Sequence, residues 1–392
     1  MAVSAQRVQY EQLYKRLMAS AKKIGQLAEK EALEADEQCT ISENVINLMK
    51  QEQIHRLIMP PEYGYPQIDF TTFTDMVKTV GYYNLSAAWL TYFFSLHNSW
   101  VAYLPKRGRD EVYHSDGLVA DILAPVGRVE KVEGGYILNG TWHYVSGINY
   151  SEWCGFGAFY KPENEEMPTW LVLNVNKKDF KIINDWNSIG LRGSGSNTVI
   201  VENTFVPEHH TFEFGKHIHE VLPDEKVDLS YLYYDLPFYA AFFVGFPAMS
   251  IGAAERALDE FVEGSKKRFR IITNEQESSS YRSQRVAAVL ALKLAKAKGL
   301  MKEYIRMLES DKGGLYDPSV YKALRVEIID ECVGIAQKAT MSLGAKALLK
   351  GHPLEMILRD LITIGTHITS LYEDGLESYG KHLFGYPSNA LG

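Results

Sequence analysis

The spacing of apolar residues divides the chain into three regions. Residues 1–118 carry apolar side chains at helical spacing, as in "YEQLYKRLMASAKKIGQLAEKEALEADE", which predicts a helical domain. Residues 119–225 form short alternating runs such as "TWLVLNV" and "NTVIVENTFVP", which predict the strands of a compact antiparallel β domain. Residues 226–392 return to long helical patterns. The predicted fold class is α+β, mainly α, with the β domain in the middle.

Turn and cap signals place some elements within the first two regions. Ser42 precedes "ENVINLMKQEQIHRLI" and is a predicted N-cap, since its hydroxyl can accept a free N–H of the first helical turn. In "GGYILNGTWHYVSG", Asn139 and Gly140 predict a hairpin turn between two strands.

Four long helices are predicted in the last region. Three of them start near Ala248, near Ser283 and after Asp317, and the third is predicted to end at Gly351. The fourth covers residues 358–374, "LRDLITIGTHITSLYED". Long helices with short links predict an antiparallel four-helix bundle.

Composition and charge exclude several classes of protein. The 392 residues are 46% hydrophobic and 23% charged, as in an ordinary globular protein, and the net charge is −8. No block of Lys and Arg could follow a phosphate backbone, so nucleic acid is not expected as a partner. Three cysteines without any CxxC or CxxH pairing predict neither a metal site nor a disulfide framework. They fit a reducing cytoplasm.

Two segments bear on whether the chain enters a membrane or is exported. The N-terminal "MAVSAQRVQYEQLYKRL" carries charges where a signal peptide needs an apolar core. The segment Pro237–Ala254 is about long enough to span a membrane, but two prolines and a glycine interrupt it. It is predicted to be a buried core helix, and the protein is expected to be soluble and cytoplasmic.

The stretch "WNSIGLRGSGSNTV", residues 186–199, is rich in glycine and hydroxyl groups. Its glycines match neither GxGxxG nor a P-loop, so no Rossmann site or nucleotide-binding P-loop is predicted. One interpretation is a glycine-rich turn with Arg192 in solvent. The other is a loop whose N–H groups, hydroxyls and Arg192 contact an anionic or polar cofactor.

Three further residues have both a structural and a functional interpretation. Ser146 ends a strand, as a turn former or as a hydrogen-bond donor to a flat cofactor. His97 lies in the aromatic "TYFFSLHNSWVAYL", as a core residue or as a proton partner of an aromatic substrate. His367 follows Asp360 at helical spacing on an apolar stripe, where a core histidine is again the alternative.

The three-region order, together with "GGYILNGTWHYVSG", "WNSIGLRGSGSNTVIVENTFVP", "GAAERALDEF" and "HPLEMILRDLITIGTH", resembles the acyl-CoA dehydrogenase superfamily over nearly the whole chain. The resemblance implies an N-terminal helical domain, a central antiparallel β domain and a C-terminal four-helix bundle, assembled as a homotetramer. It also implies a flavin between the β domain and the bundle, completed by a neighbouring subunit.

The segment after Arg359 and Asp360 resembles one branch of that superfamily. Acyl-CoA dehydrogenases commonly follow this Arg-Asp pair with a catalytic Glu, but the equivalent position here is near Ile368, with no acid beside it. A histidine seven residues after the aspartate is similar to the two-component flavin-dependent monooxygenases. These include the oxygenase component of 4-hydroxyphenylacetate hydroxylase, a phenol hydroxylase of steroid degradation and dibenzothiophene monooxygenase.

This branch implies an oxygenase component that takes reduced FMN or FAD from a separate flavin reductase. Molecular oxygen adds to the flavin as a 4a-hydroperoxide, and one oxygen atom is transferred to a phenolic or other aromatic substrate. Such chemistry needs a dry cavity and control of a proton beside the flavin. The alternatives are an S- or N-oxygenase of a heterocycle or amine, and an acyl-CoA dehydrogenase with a relocated base.

The resemblance also implies roles for individual residues. Ser146 is expected beside the flavin ring and His367 beside the peroxide, while His97 is expected on the substrate side. Trp186, Arg192, Ser194 and Ser196 are expected to line the flavin site. Arg268, with Arg270 as a competitor, is expected to reach the flavin phosphate of a neighbouring subunit.

Overall fold

The computed structural model describes residues 2–162, 167–215, 236–311 and 314–388. The first region is helical, as predicted, and Ser42 caps α3 by accepting the N–H of Val45. Helix α5 is buried on all sides, because it runs between the sheet and the later helices. A 3-10 segment, His97–Tyr103, continues it. The helices are α1 (Ala2–Lys30), α2 (Ala32–Gln38), α3 (Glu43–Gln51), α4 (Phe70–Tyr83), α5 (Leu85–Leu96) and α6 (Lys106–His114).

A seven-stranded sheet follows, in the order β5-β6-β2-β1-β3-β4-β7. All neighbouring pairs of this sheet are antiparallel except β1 and β3, which run parallel. The sheet is therefore mixed rather than wholly antiparallel, because the chain passes through β2 before it returns beside β1. The strands are β1 (Leu118–Val132), β2 (Gly135–Val145), β3 (Ser151–Tyr160), β4 (Thr169–Asn176), β5 (Lys181–Ile183), β6 (Asn197–Pro207) and β7 (Thr211–Glu213).

The predicted hairpin turn at Asn139 and Gly140 is wrong. The turn between β1 and β2 lies at Glu133 and Gly134, where Gly134 has a φ of +75° that favours glycine. Asn139 and Gly140 lie within β2, where its register with β6 shifts. There the Asn139 side chain accepts the N–H of Asn203 at 2.7 Å. The asparagine thus stabilises an irregularity between strands instead of a turn.

The last region contains the predicted bundle of four long helices. Its third helix begins with Asp317 as the N-cap, as expected, but ends at Leu343 instead of Gly351. Gly344, with a φ of +81°, terminates it. The helices are α7 (Phe238–Phe242), α8 (Gly245–Lys267), α9 (Tyr281–Ser310), α10 (Pro318–Leu343), α11 (Pro353–Gly365) and α12 (Tyr372–Leu383), with the short strands β8 (Phe269–Arg270) and β9 (Glu275–Gln276) between α8 and α9.

The prediction of one helix over residues 358–374 is also wrong. Helix α11 ends at Gly365, and α12 begins only at Tyr372. Between them His367 is extended, with φ −63° and ψ 136°, and caps a 3-10 turn by accepting the N–H of Thr369. The apolar spacing continues across this break, but the helical conformation of the backbone does not. His367 therefore projects from a junction between two helices.

Two hydrophobic cores hold the regions together. The larger joins the N-terminal helices to the bundle, and the smaller lies within the sheet. The segment Phe238–Lys267 is long and apolar enough to cross a membrane, but 83% of its apolar window is buried inside the protein, as in a core helix. The expected domain boundary after residue 118 falls at the start of β1, and the one after residue 225 lies outside the described residues. Both boundaries stay predictions.

Candidate functional site

A cleft of about 1170 Å³ lies between the sheet and the C-terminal helices. Its walls come from α5, β1, β2, the loop before β6, the start of α8 and the break after α11. Sequence positions that are far apart thereby meet in one space. Six of the eight predicted site residues line it: His97, Ser146, Trp186, Ser194, Ser196 and His367.

Three buried serines form a hydrogen-bonded chain on the wall of the cleft. The Ser146 and Ser196 hydroxyls lie 2.9 Å apart, and those of Ser194 and Ser196 lie 2.8 Å apart. Trp89 Nε1 donates to Ser146 Oγ at 2.9 Å. Three hydroxyl protons serve two hydroxyl–hydroxyl bonds, so one proton is left to donate to a ligand.

The loop that carries two of these serines is fixed to the bundle. Asp360 on α11 accepts the N–H of Leu191 at 2.7 Å. A Cβ on Gly190 would lie 2.2 Å from the carbonyl oxygen of Arg359, so only glycine fits this approach. Burial raises the pKa of Asp360 to about 7, against the lowering by the Leu191 N–H. The loop and α11 therefore hold one side of the cleft together.

His367 presents a neutral imidazole to the cleft. It lies between Trp89 and Phe246, whose ring centres are 5.9 and 5.0 Å from its own. Burial, and then the charges of Arg325 and His97, lower the pKa of His367 to about 4. Its Nδ1 accepts the N–H of Thr369 at 3.3 Å. In the neutral ring the proton is therefore on Nε2, and this N–H can donate a hydrogen bond to a ligand.

His97 is buried in a polar chain of its own. Its Nδ1 lies 2.8 Å from Asp121 Oδ2, and its Nε2 lies 2.8 Å from the Tyr92 hydroxyl. Phe93 and Phe242 cover its faces, with ring centres 3.9 and 3.8 Å away. His97 thus touches the cleft, but its ring nitrogens are both engaged.

The two predicted arginines do not line the cleft. Arg192 donates to Asp36 O at 2.7 Å and to Ser188 O at 2.8 Å, and so fastens the loop to α2. Arg268 is half exposed and donates to Leu343 O at 2.6 Å. Within the described part of the chain, no Lys or Arg lines the cleft.

Tyr144 and Asp121 are two of the cleft residues that were not among the predicted site residues. Tyr144 is 72% exposed and has a φ of +69°, rare for a residue other than glycine, where the register of β2 with β6 shifts. Its ring meets Trp186 edge to face at 6.3 Å. Asp121 is the other, a lone acid in the apolar strand "LVADILAP". A single charge in a buried strand was the signal that could have found it.

The fold defines the class of protein. Residues 244–370 match the family described as acyl-CoA dehydrogenase, C-terminal domain. The structure of XiaF from Streptomyces sp. in complex with FADH2 and glycerol superimposes with a TM-score of 0.89, at 22% identity over 98% of this chain and 100% of that one. The chain has the acyl-CoA dehydrogenase fold, and the predicted fold class is confirmed.

Curated relatives narrow the class to a branch. The chain is 24% identical over 372 residues to the oxygenase component of p-hydroxyphenylacetate 3-hydroxylase from Acinetobacter baumannii, covering 91% of this chain and 86% of that protein. It is also 24% identical over 364 residues to the flavin-dependent monooxygenase oxygenase subunit HsaA from Rhodococcus jostii (strain RHA1), covering 91% and 95%. These findings confirm the resemblance to the flavin-dependent monooxygenase branch of the acyl-CoA dehydrogenase superfamily, and with it an oxidoreductase enzyme.

The residues of the cleft fit the flavin that this class uses. A flavin ring is flat and largely apolar, with a few polar edges, and it binds in clefts of mixed character. The cleft offers aromatic walls, the spare hydroxyl proton of the serine chain and the free Nε2–H of His367. Ser146, Ser194, Ser196 and Trp186 are the residues that would hold the ring.

Proposed function

We propose that the protein is the oxygenase component of a two-component monooxygenase, which uses reduced FMN or FAD and molecular oxygen to hydroxylate a phenolic or other aromatic substrate. Relatives that support this include the p-hydroxyphenylacetate 3-hydroxylase component and an indole-3-acetate monooxygenase from Pseudomonas putida, 28% identical over 230 residues. The observation that carries the proposal is the largely apolar cleft, with aromatic side chains on its walls and a neutral histidine, His367, among them.

When bound, the reduced flavin supplies the activation of oxygen, and this chain supplies the surroundings. The serine chain would orient the ring, and the Nε2–H of the neutral His367 would donate a hydrogen bond to the reacting oxygen. The rings of Trp89, Phe93 and Phe246 keep water out, which favours oxygen transfer over loss of hydrogen peroxide.

The flavin phosphate is proposed to bind Arg268 of a neighbouring copy in a homotetramer. Arg270 is less available, because Glu277 accepts two hydrogen bonds from its guanidinium, both at 2.6 Å. Arg268 donates one hydrogen bond, to Leu343 O, lies 3.9 Å from Glu277 Oε2 and is half exposed. The absence of any described Lys or Arg in the cleft supports a cation from another subunit.

The proposed partners are a small aromatic substrate and a flavin reductase, which can deliver reduced flavin by diffusion. The proposed location is the cytoplasm. Neither nucleic acid nor a membrane is proposed as a partner.

Binding of the two flavin redox states tests the proposal first. Anaerobic titration should give tighter binding of reduced than of oxidised flavin, with FMN and FAD compared side by side. With a flavin reductase and NADH, a panel of phenols should then yield hydroxylated products that carry label from ¹⁸O₂. Consumption of oxygen that gives hydrogen peroxide alone for every aromatic in the panel would overturn the proposal.

The alternatives give different results in the same assays. Label found on sulfur or nitrogen, in thiophenes or amines, would identify an S- or N-oxygenase. An acyl-CoA dehydrogenase would bind oxidised FAD tightly, and an acyl-CoA would bleach it. The relatives do not favour these alternatives.

Ser146→Ala tests the serine chain separately from turnover. The substitution removes the acceptor of Trp89 Nε1, so both protein stability and the affinity for reduced flavin should fall. Ser250→Ala is a matched control, since that buried hydroxyl donates only to Phe246 O of its own helix. Equal flavin affinity in the two variants would remove Ser146 from the proposed site.

A further inference from the structure

A buried chain of three side chains, Asp121, His97 and Tyr92, lies beside the cleft. Asp121 is on β1, Tyr92 is on α5 and His97 directly follows α5. Their relative exposures are 6%, 3% and 0%, so water does not compete for their hydrogen bonds. The chain joins the sheet to the N-terminal helices at a wall of the cleft.

The hydrogen atoms in this chain follow from its geometry. The Tyr92 hydroxyl has one proton, which it donates to Phe242 O. His97 Nε2 must therefore donate to the Tyr92 oxygen. On the other side, Nδ1 donates to Asp121 Oδ2 at 2.8 Å. The geometry thus places one proton between His97 Nδ1 and Asp121 Oδ2, and this buried hydrogen bond holds the carboxyl group of Asp121 in place.

This assignment leaves His97 without a free nitrogen for a substrate. Its faces are covered as well, by Phe93 and Phe242. The second oxygen of Asp121, Oδ1, is different: across the described residues it has no hydrogen-bond partner, and Asp121 lines the cleft. A carboxylate oxygen with open lone pairs thus faces a cleft whose neighbouring wall is aromatic.

We propose that Asp121 Oδ1 anchors the substrate by accepting a hydrogen bond from an O–H or N–H attached directly to its aromatic ring. Ligands that carry such a donor are phenols and indoles, whereas aromatic ethers, N-alkylated indoles and thiophenes lack it. His97 is a positioning residue, which holds the carboxylate in place from behind. The inference rests on the proposed function for its aromatic ligand, and it assigns the polar contact to Asp121 instead of His97.

The size of the expected ligand preference follows from the charge of the acceptor. A hydrogen bond to a charged group contributes about 1.5–3 kcal/mol, which corresponds to a preference of about 10- to 100-fold for the donor-bearing ligand. A ligand without the donor would leave Oδ1 desolvated and unpaired, so the discrimination is against that ligand as well as in favour of the other.

The test compares matched ligands by isothermal titration calorimetry, with and without oxidised flavin and without turnover. The pairs are 4-methylphenol with 4-methylanisole, and indole with N-methylindole. Wild-type protein should bind the first member of each pair at least about 10-fold more tightly. Asp121→Asn should lose most of this preference, whereas Asp179→Asn, the same charge change at an exposed site, should keep it.

The wild-type comparison decides the matter even if Asp121→Asn does not fold. Equal affinity for both members of each pair would overturn the inference, as would a preference that Asp121→Asn retains. His97→Gln should weaken the preference without moving the flavin affinity, as expected of a residue that acts through Asp121. Oxygenation without ligand discrimination would leave the proposed function standing and reject the anchor. Ligand discrimination without oxygenation would keep the anchor and reject the proposed function.

Discussion

His367 is a histidine that stays neutral at physiological pH because of its surroundings. Its pKa falls to about 4 through burial first and then through the charges of Arg325 and His97. The unfolded chain binds this proton below about pH 6.5, and the folded protein does so only below about pH 4. Between these values the unfolded state holds more protons, so the free energy of unfolding falls as the pH falls.

Replacing His367 with Gln should remove this contribution. Between pH 7 and pH 4.5 the variant should lose about 2 kcal/mol less stability than the wild type does. Urea denaturation at both pH values measures the difference. His114→Gln, at an exposed histidine, should follow the wild type. A His367→Gln curve that also follows the wild type would show that His367 titrates normally.

At the scale of elements, the loop before β6 and helix α11 form one contact that shapes the cleft. Gly190 packs against the backbone of α11, and Leu191 donates to Asp360. The first of these contacts is with backbone atoms of Arg359, which cannot move far without unwinding the helix. The serine chain inherits its position from this contact, because Ser194 and Ser196 follow on the same loop.

Gly190→Ala should separate this loop from α11. The new Cβ would lie 2.2 Å from a backbone oxygen, so we expect a loss of stability of about 1–3 kcal/mol and weaker binding of reduced flavin. Gly299→Ala is the matched control: Gly299 is exposed within α9, with nothing within 4 Å of a Cβ. That variant should gain up to about 1 kcal/mol in helix propensity. Equal thermal shifts in both variants would contradict the packing argument.

Asp360 makes the same contact sensitive to pH. Burial raises its pKa to about 7, so the folded protein keeps a proton that the unfolded chain loses near pH 4. Its contribution to stability is complete below about pH 4 and is lost as the pH rises toward 7.

In Asp360→Asn the amide oxygen can still accept the Leu191 N–H, and no charge develops. The variant should therefore lack this loss and exceed the wild type at pH 8 by an amount on the order of a few kcal/mol. Chemical denaturation at pH 5 and pH 8 tests this, with Asp179→Asn as the exposed control. A wild type that is more stable than Asp360→Asn at pH 8 would show a stabilising charge at this site.

At the scale of the whole molecule, the proposed tetramer has a candidate contact next to Arg268. The turn between β8 and β9 exposes Ile271 and Ile272, which are 89% and 99% accessible. Isoleucines this exposed on adjacent positions are unusual on a monomer surface. They lie two and three residues beyond Phe269, which is also half exposed.

Light scattering coupled to size exclusion should give four times the chain mass for the wild type. The double variant Ile271→Asp and Ile272→Asp should give a smaller species, because it buries charge at the contact. It should also bind reduced flavin more weakly, since Arg268 would be lost from the neighbouring site. Met167→Asp, at an exposed apolar residue just before β4 that does not line the cleft, controls for the charge change. An unchanged mass in the double variant would move the contact elsewhere.

The sequence by itself determined the features that depend on neighbouring residues along the chain. Apolar spacing gave the three regions, and short polar side chains gave the caps at Ser42 and Asp317, because capping acts over two or three residues. The sequence motifs also supported the resemblance to the acyl-CoA dehydrogenase superfamily. Six of the eight predicted site residues line one cleft.

Only the tertiary structure decided the features that depend on partners far along the chain. The apolar spacing of residues 358–374 is the same with or without a helix break, so the position of His367 could not be read from it. The sequence also could not reveal the parallel pairing of β1 and β3 or the pairing of Asp121 with His97. Each depends on which surfaces meet when the sheet packs against helices, and burial then sets the charges that local spacing cannot reveal.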